Sequence, residues 1–167
     1  MANEKQQFVD ELKELLQKNV AEVKEQVEAL KTQFYRQYHQ ELEAQKKAAL
    51  EAAEAAGEVL ENWLPSFDEL EQEFRELLNT YKQRRAELQK QIEEEQAQNL
   101  LRKENILAQM KEMADAETAD VMDNLKKMRE LQAEWKTIGA VPAPKAQEIW
   151  KNYQQYQERF YDLVKIN

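Results

Sequence analysis

Apolar side chains recur along this chain at intervals of three and four, and the pattern divides it into four helical runs. In the first, Leu12, Leu16, Val20, Val23, Val27, Leu30, Phe34, Tyr38 and Leu42 follow at that spacing, and no glycine or proline intervenes between Phe8 and about Ala56. One amphipathic helix with a heptad-like seam is predicted there. At 1.5 Å per residue, roughly 48 residues reach about 72 Å, beyond the diameter of a small domain, so much of this helix is expected to pair with another long one. Toward its end the seam thins into AALEAAEAAG, where alanine keeps the helix but buries little, and Gly57 is placed to stop it.

Gly57 to Ser66 reads as a connection, with Trp63 and Leu64 expected to tuck under it, because an exposed pair of that size makes an adhesive patch. Ser66 with Glu69 fits a capping box at the start of the second helix. Its seam is Phe67, Leu70, Phe74, Leu77, Tyr81, Leu88 and Ile92; it weakens through the polar run Glu93 to Asn99 and resumes at Leu100, Ile106, Leu107, Met110 and Met113. The polar run is read as a solvated stretch of one continuous helix ending near Ala114. Two helices of matched length joined by a short loop predict an antiparallel hairpin.

Asp115 or Thr118 is placed to cap a third helix, whose seam is Val121, Met122, Leu125, Met128, Leu131, Trp135 and Ile138 and whose stop is Gly139. Val141 and Pro142 give a short extended connection. Pro144 suits the first turn of a fourth helix carrying Ile149, Trp150, Tyr153, Phe160, Leu163 and Val164 on one face. No stop signal precedes Asn167, so this helix is expected to be truncated.

Composition sharpens this picture. Only two glycines and three prolines occur among 167 residues and 34% are charged, the make-up of long helices rather than strands. The absence of cysteine excludes disulfides, thiolate catalysis and Cys-ligated metal. A net charge of −9 argues against general nucleic-acid binding. No apolar run approaches the ~20 residues of a membrane span, and the polar start MANEKQQ lacks a signal-peptide core, so the cytoplasm is the expected location.

The stretch LQAEWKTIGAVPAPKAQEIWKNYQQYQERFYDL, preceded by ILAQMKEMADAETADVMDNLKKMRE, resembles the bacterial helical repeat called domain of unknown function family 349. The residues that carry the resemblance are Leu131, Gln132, Trp135, Lys136, Ile138, Gly139, Val141, Pro142, Trp150 and Phe160. Ala143 with Pro144 departs from it, since many members place a basic residue and a polar cap there. The resemblance covers residues 98–167, which it implies are one family repeat of helix-turn-helix-turn-helix form. Residues 1–97 are similar to the region before the first good repeat in proteins of this family from the Bacteroides group, and would be a long hairpin containing a degenerate first repeat. Laying WLPSFDELEQEFRELLNTYKQRRAEL over the last helix, at an offset of roughly 76 residues, sets Phe74 on Trp150 and Leu88 near Leu163. The resemblance implies a fold and no activity.

Candidate chemistry is sparse. His39 is the only histidine; Glu43 follows at i+4, but no Glu-x-x-His spacing builds a bundle metal site. Glu93, Glu94 and Glu95 point in different directions on a helix and read as a solvated face. No glycine-rich phosphate loop can be made from Gly57 and Gly139. Lys126, Lys127, Arg129, Lys136, Lys145 and Lys151 make the last two helices mildly basic, with Arg84 and Arg85 a further pair, and Tyr153, Tyr156 and Tyr161 could stack on bases if exposed. Glu130, Glu134, Glu148 and Glu158 interleave with them and dilute the stripe. Trp135 and Trp150 are expected to pack across the Gly139 to Pro142 turn and fix the angle between the helices it joins.

Taken together these readings predict an all-α protein. A long antiparallel, coiled-coil-like hairpin should carry a C-terminal helical pair that completes a three- or four-helix bundle. A non-enzymatic cytoplasmic scaffold or protein-interaction module is expected, without cofactor, docking an unknown protein partner near Trp63 or in the bundle grooves. The competing reading is nucleic-acid association through the C-terminal basic residues, Lys126, Lys127, Arg129, Lys136 and Lys151. Self-association through unfilled seams is a third expectation.

Overall fold

A computed structural model describes residues 4–116 and 121–166. The described residues form five α-helices and no strand: α1 (Glu4–Leu15), α2 (Lys24–Ala55), α3 (Glu69–Asp115), α4 (Val121–Thr137) and α5 (Ala143–Ile166). The all-α fold expected from the pattern is what the structure has. The chain divides into two compact units, one running through Glu87 and the other beginning at Leu88.

The first unit corrects the single long N-terminal helix. After Leu15 the chain leaves the helix, passes through a short 3-10 turn at Val20–Glu22 and reverses into α2. Asn19 makes the break: its side-chain oxygen accepts from the Ala21 amide at 3.0 Å, satisfying a donor that a continuous helix would have used internally. The expected seam folds back on itself and gains Val9, which lay outside the run, while Val20, Tyr38 and Leu42 are only partly covered. Val9, Leu12 and Leu16 pack against Val23, Val27, Leu30 and Phe34, and Phe74, Leu78 and Tyr81 of α3 complete the core. A straight helix would have left half of that surface in water.

α1 runs antiparallel to α2 and parallel to the start of α3. Lys13 pairs with Glu73 at 2.7 Å, and Arg84 donates to the Leu16 carbonyl at 2.6 Å, tying the end of α1 to α3. Phe34 and Phe74 stack in parallel with centroids 4.0 Å apart, and Tyr35 donates to Glu71 at 3.2 Å. α2 and the start of α3 thus form an antiparallel hairpin, but not the expected pair of matched helices, since α2 has 32 residues and α3 has 47. α2 continues past this core as a solvated alanine-rich arm.

Gly57 ends α2 as expected. Its φ of 70° is the left-handed geometry that glycine adopts freely, and the Gly57 and Glu58 amides return to the Glu54 and Ala53 carbonyls in a Schellman pattern. The start of α3 differs from the sequence reading: Asp68, and not Ser66, caps it, accepting from the Leu70 and Glu71 amides at 3.0 and 3.1 Å. Ser66 instead donates to Gln45 at 3.4 Å. Phe67 therefore lies outside the helix and is exposed, and so is Leu64; neither joins a seam or tucks under the connection.

α3 is continuous through its polar run. From Lys82 to Gln98 only Leu88 and Gln96 are even partly covered, so Ile92 lies on a solvated face and the seam is interrupted there. In the second unit the rest of α3, α4 and α5 enclose Ile106, Met110, Met128, Leu131, Trp135, Ile149, Tyr153 and Phe160. α4 runs antiparallel to both neighbours, with Lys103 over Trp135 and Gln132 accepting from the Tyr161 hydroxyl at 3.4 Å. Arg159 of α5 pairs with Asp115 at the end of α3. Asp115 therefore closes α3 rather than opening α4, and Thr118, the other expected cap, lies outside the described residues. Met122 is exposed rather than part of the seam.

Candidate functional site

The least generic stretch of the sequence, Leu131 to Pro142, is a packed corner. α4 ends at Thr137, and Ile138 and Val141 turn inward on either side of exposed Gly139 and Ala140. Asn99 of α3, which the sequence placed at the end of a solvated run, is buried and donates to the Ala140 carbonyl at 2.8 Å. A Cβ on Gly139 would stand 3.2 Å from that amide nitrogen, so a larger residue here would require the Asn99 side chain to give by a few tenths of an ångström. Its place at the edge of the polar run, next to the returning seam at Leu100, was the only signal for Asn99, and sequence gives no means of telling which partner it meets.

Trp135 is buried at the centre of the corner and lies against Tyr153, with centroids 4.4 Å apart. Trp150 does not meet Trp135 as expected; it is 49% exposed and stacks on the outer face of Tyr153 at 5.3 Å. The helical period explains this. Ile149 and Tyr153, four residues apart, hold the core face of α5, and Trp150, one residue on from Ile149, is rotated about 100° away. Burial pushes the Tyr153 hydroxyl above its ordinary pKa, with the nearby Tyr161 adding to the effect.

Two lysines mark the cores. Lys5 is almost fully buried, paired with Glu41 and Asp68, and lies 5.8 Å from the Tyr38 ring centre. Burial lowers its pKa, but the hydrogen bonds to Asp68 and Glu41 outweigh this and the net shift is upward. Lys103 lies 4.8 Å over the Trp135 ring with no carboxylate partner among the described residues, and burial lowers its pKa.

The basic residues singled out from sequence do not converge. Lys126, Lys127, Arg129 and Lys136 are exposed along α4 and Lys151 on α5; Lys126 and Arg129 edge an open groove of about 450 Å³ that also carries Glu130. Lys145 pairs loosely with Glu148 at 3.8 Å. His39 is exposed beside Tyr35 and Tyr38. No group of three His, Cys, Asp or Glu among the described residues is arranged to hold a metal ion, and no described helix is long and apolar enough to cross a membrane.

Exposed apolar surface is concentrated elsewhere, in the connection from α2 to α3. Val59, Leu64 and Phe67 are 85%, 82% and 71% exposed, and Trp63 between them is partly covered. Asn62 just before it holds a left-handed φ of 54°. The sequence pointed to Trp63; what it could not supply is that its neighbours face water.

These features define an all-α protein made of helical bundles, with a packed corner and an apolar connection. Residues 69–144, covering all of α3 and α4, the corner and the first residues of α5, match the family described as Domain of Unknown Function (DUF349). No curated protein and no solved structure matches the chain.

Proposed function

We propose that the chain is a non-enzymatic cytoplasmic protein-interaction module, a helical scaffold whose docking surface is the connection between α2 and α3. The observation that carries this is the exposure of Val59, Leu64 and Phe67 beside Trp63. A soluble helical protein has no folding reason to hold three large apolar side chains in water within nine residues, and apolar anchors around an aromatic are what a partner interface uses. Covalent crosslinking in native cells of the full-length protein, followed by mapping of the crosslinked positions, tests it. Crosslinks to other proteins that concentrate on residues 58–67 are the expected result; crosslinks that avoid this segment would sink the assignment.

The scaffold is built from two related three-helix repeats. One constant offset lays Lys5, Val9, Leu12 and Leu16 of α1 on Lys103, Leu107, Met110 and Ala114 of α3, buried position on buried position apart from the half-covered Lys103. A second lays Val27, Leu30 and Phe34 on Met128, Leu131 and Trp135, and a third lays Phe74 and Leu78 on Ile149 and Tyr153. Both lysines then sit over an aromatic ring of the second helix. The carboxylates of Glu41 and Asp68 fall on Pro142 and Ala143, which accounts for the missing counterions of Lys103. In this register Phe74 meets Ile149 rather than Trp150.

Nucleic-acid association remains the alternative, through the exposed run Lys126, Lys127 and Arg129. Titrating RNA and DNA against the protein at rising salt separates the two readings, since phosphate contacts impose a steep salt dependence. Absence of salt-sensitive affinity at low ionic strength removes the alternative.

A further inference from the structure

Between Lys47 and Arg75 the sequence places eight carboxylates and no basic residue, against a net charge of −9 for the whole chain. Asp68, Glu71 and Glu73 are engaged with Lys5, Arg75 and Lys13. That leaves Glu51, Glu54, Glu58, Glu61 and Glu69 without an ion pair among the described residues, on the stretch that exposes Val59, Leu64 and Phe67. The apolar side chains are thus set in a field of one sign. Uncompensated like charge costs little in open water, but any occupant that covers the apolar residues must approach it closely, where an opposite charge is attracted and a like one repelled.

That field selects the occupant. A second copy of the same surface would bring the same acids together and is repelled, and nucleic acid and anionic lipid are repelled for the same reason. We infer that the connection between α2 and α3 docks a basic amphipathic segment of a partner protein, whose apolar face covers Val59, Leu64 and Phe67 while its lysines or arginines meet Glu58 and Glu61. This rests on the interaction-module reading and adds the chemistry of the partner to it. Glu58 lies next to Val59, and Glu61 is three residues before Leu64, so each acid flanks an apolar anchor as it would at a polar rim.

The test uses the full chain and three synthetic peptides: an amphipathic helix of leucine and lysine, the same apolar pattern with glutamate for lysine, and a scrambled leucine–lysine peptide with no apolar face. Binding is followed by calorimetry at low and moderate salt. The amphipathic basic helix should bind, weaken about tenfold or more with a Leu64→Ser, Phe67→Ser double variant, and weaken again with Glu58→Gln, Glu61→Gln or with added salt. All four side chains are exposed, so unchanged circular dichroism and melting temperature confirm that the variants fold. Equal binding of the glutamate helix, equal binding of the scrambled peptide, no binding at all, or indifference to the Leu64 and Phe67 substitutions would each overturn the inference. If native crosslinks still concentrate on residues 58–67 in any of these cases, the docking surface stands and only the basic character of its partner is lost.

Discussion

At the scale of single residues, the two lysines give opposite expectations from one geometry. Lys5 is held by Glu41 and Asp68 in a setting where removing one partner strands the others, and Lys5→Met is expected to cost about 2–4 kcal/mol, toward the lower end for such pairs because both carboxylates keep some water. Lys103 has no carboxylate to strand, and its desolvated charge offsets what the Trp135 ring returns, so Lys103→Met should change stability by less than about 1 kcal/mol. Urea denaturation of both variants checks the contrast. For Asp68, burial raises the pKa, but the hydrogen bond from Lys5, the Glu71 amide and the Lys5 charge together hold it below its ordinary 3.8. A depressed folded pKa gives stability that is present above the unfolded value and lost as pH falls through the folded one. Stability should therefore decline below about pH 4, and that part of the decline should shrink in Lys5→Met. The two tryptophans of the corner differ in the same way: Trp135→Ala should cost about 3–5 kcal/mol as a large-to-small core change, and half-exposed Trp150→Ala clearly less. Equal losses in the two variants would contradict the packing described for Tyr153.

At the scale of elements, α3 is the unusual one, since 47 residues of unbroken helix contain a middle that touches almost nothing. Helices gain most of their stability from packing, and the exposed turns between Lys82 and Gln98 rest on propensity and i,i+4 pairs such as Gln89 with Glu93. Amide hydrogen exchange is accordingly expected to be fastest in that middle and slow at Phe74 to Leu78 and at Ile106 to Met110; uniform protection along α3 would refute it. The same element shows what the sequence could carry. Spacing found most of the buried apolar positions, because period depends only on local order, but it missed Val9, took Leu77 in place of the buried Leu78, and counted the exposed Ile92 and Met122 as seam. It could not tell that the first seam closes on itself, since Asn19 is tolerated inside a helix and declares itself only when Ala21 donates to it. It placed the cap of α3 two residues early, because Ser66 and Asp68 both stand three residues before a glutamate. At the candidate docking surface, Trp63 was visible as an aromatic in a loop, whereas the exposure of Leu64 and Phe67 depends on whether the chain folds back over them, which local order does not decide.

At the scale of the molecule, the described residues form two apolar cores that share no residue. One collects Val9 through Tyr81 and the other Ile106 through Phe160, and the α3 segment between them contributes no buried apolar side chain. Cooperative unfolding requires that losing one set of contacts destabilise the rest, and contacts confined to separate cores supply little of that coupling. Calorimetry of the full chain should therefore show two transitions. Lys5→Met should lower the one belonging to the N-terminal core and Trp135→Ala the other, each leaving its counterpart nearly in place. A single transition that both substitutions lower equally would mean that the solvated middle of α3 transmits stability between the cores, and its exchange protection would then have to be high as well.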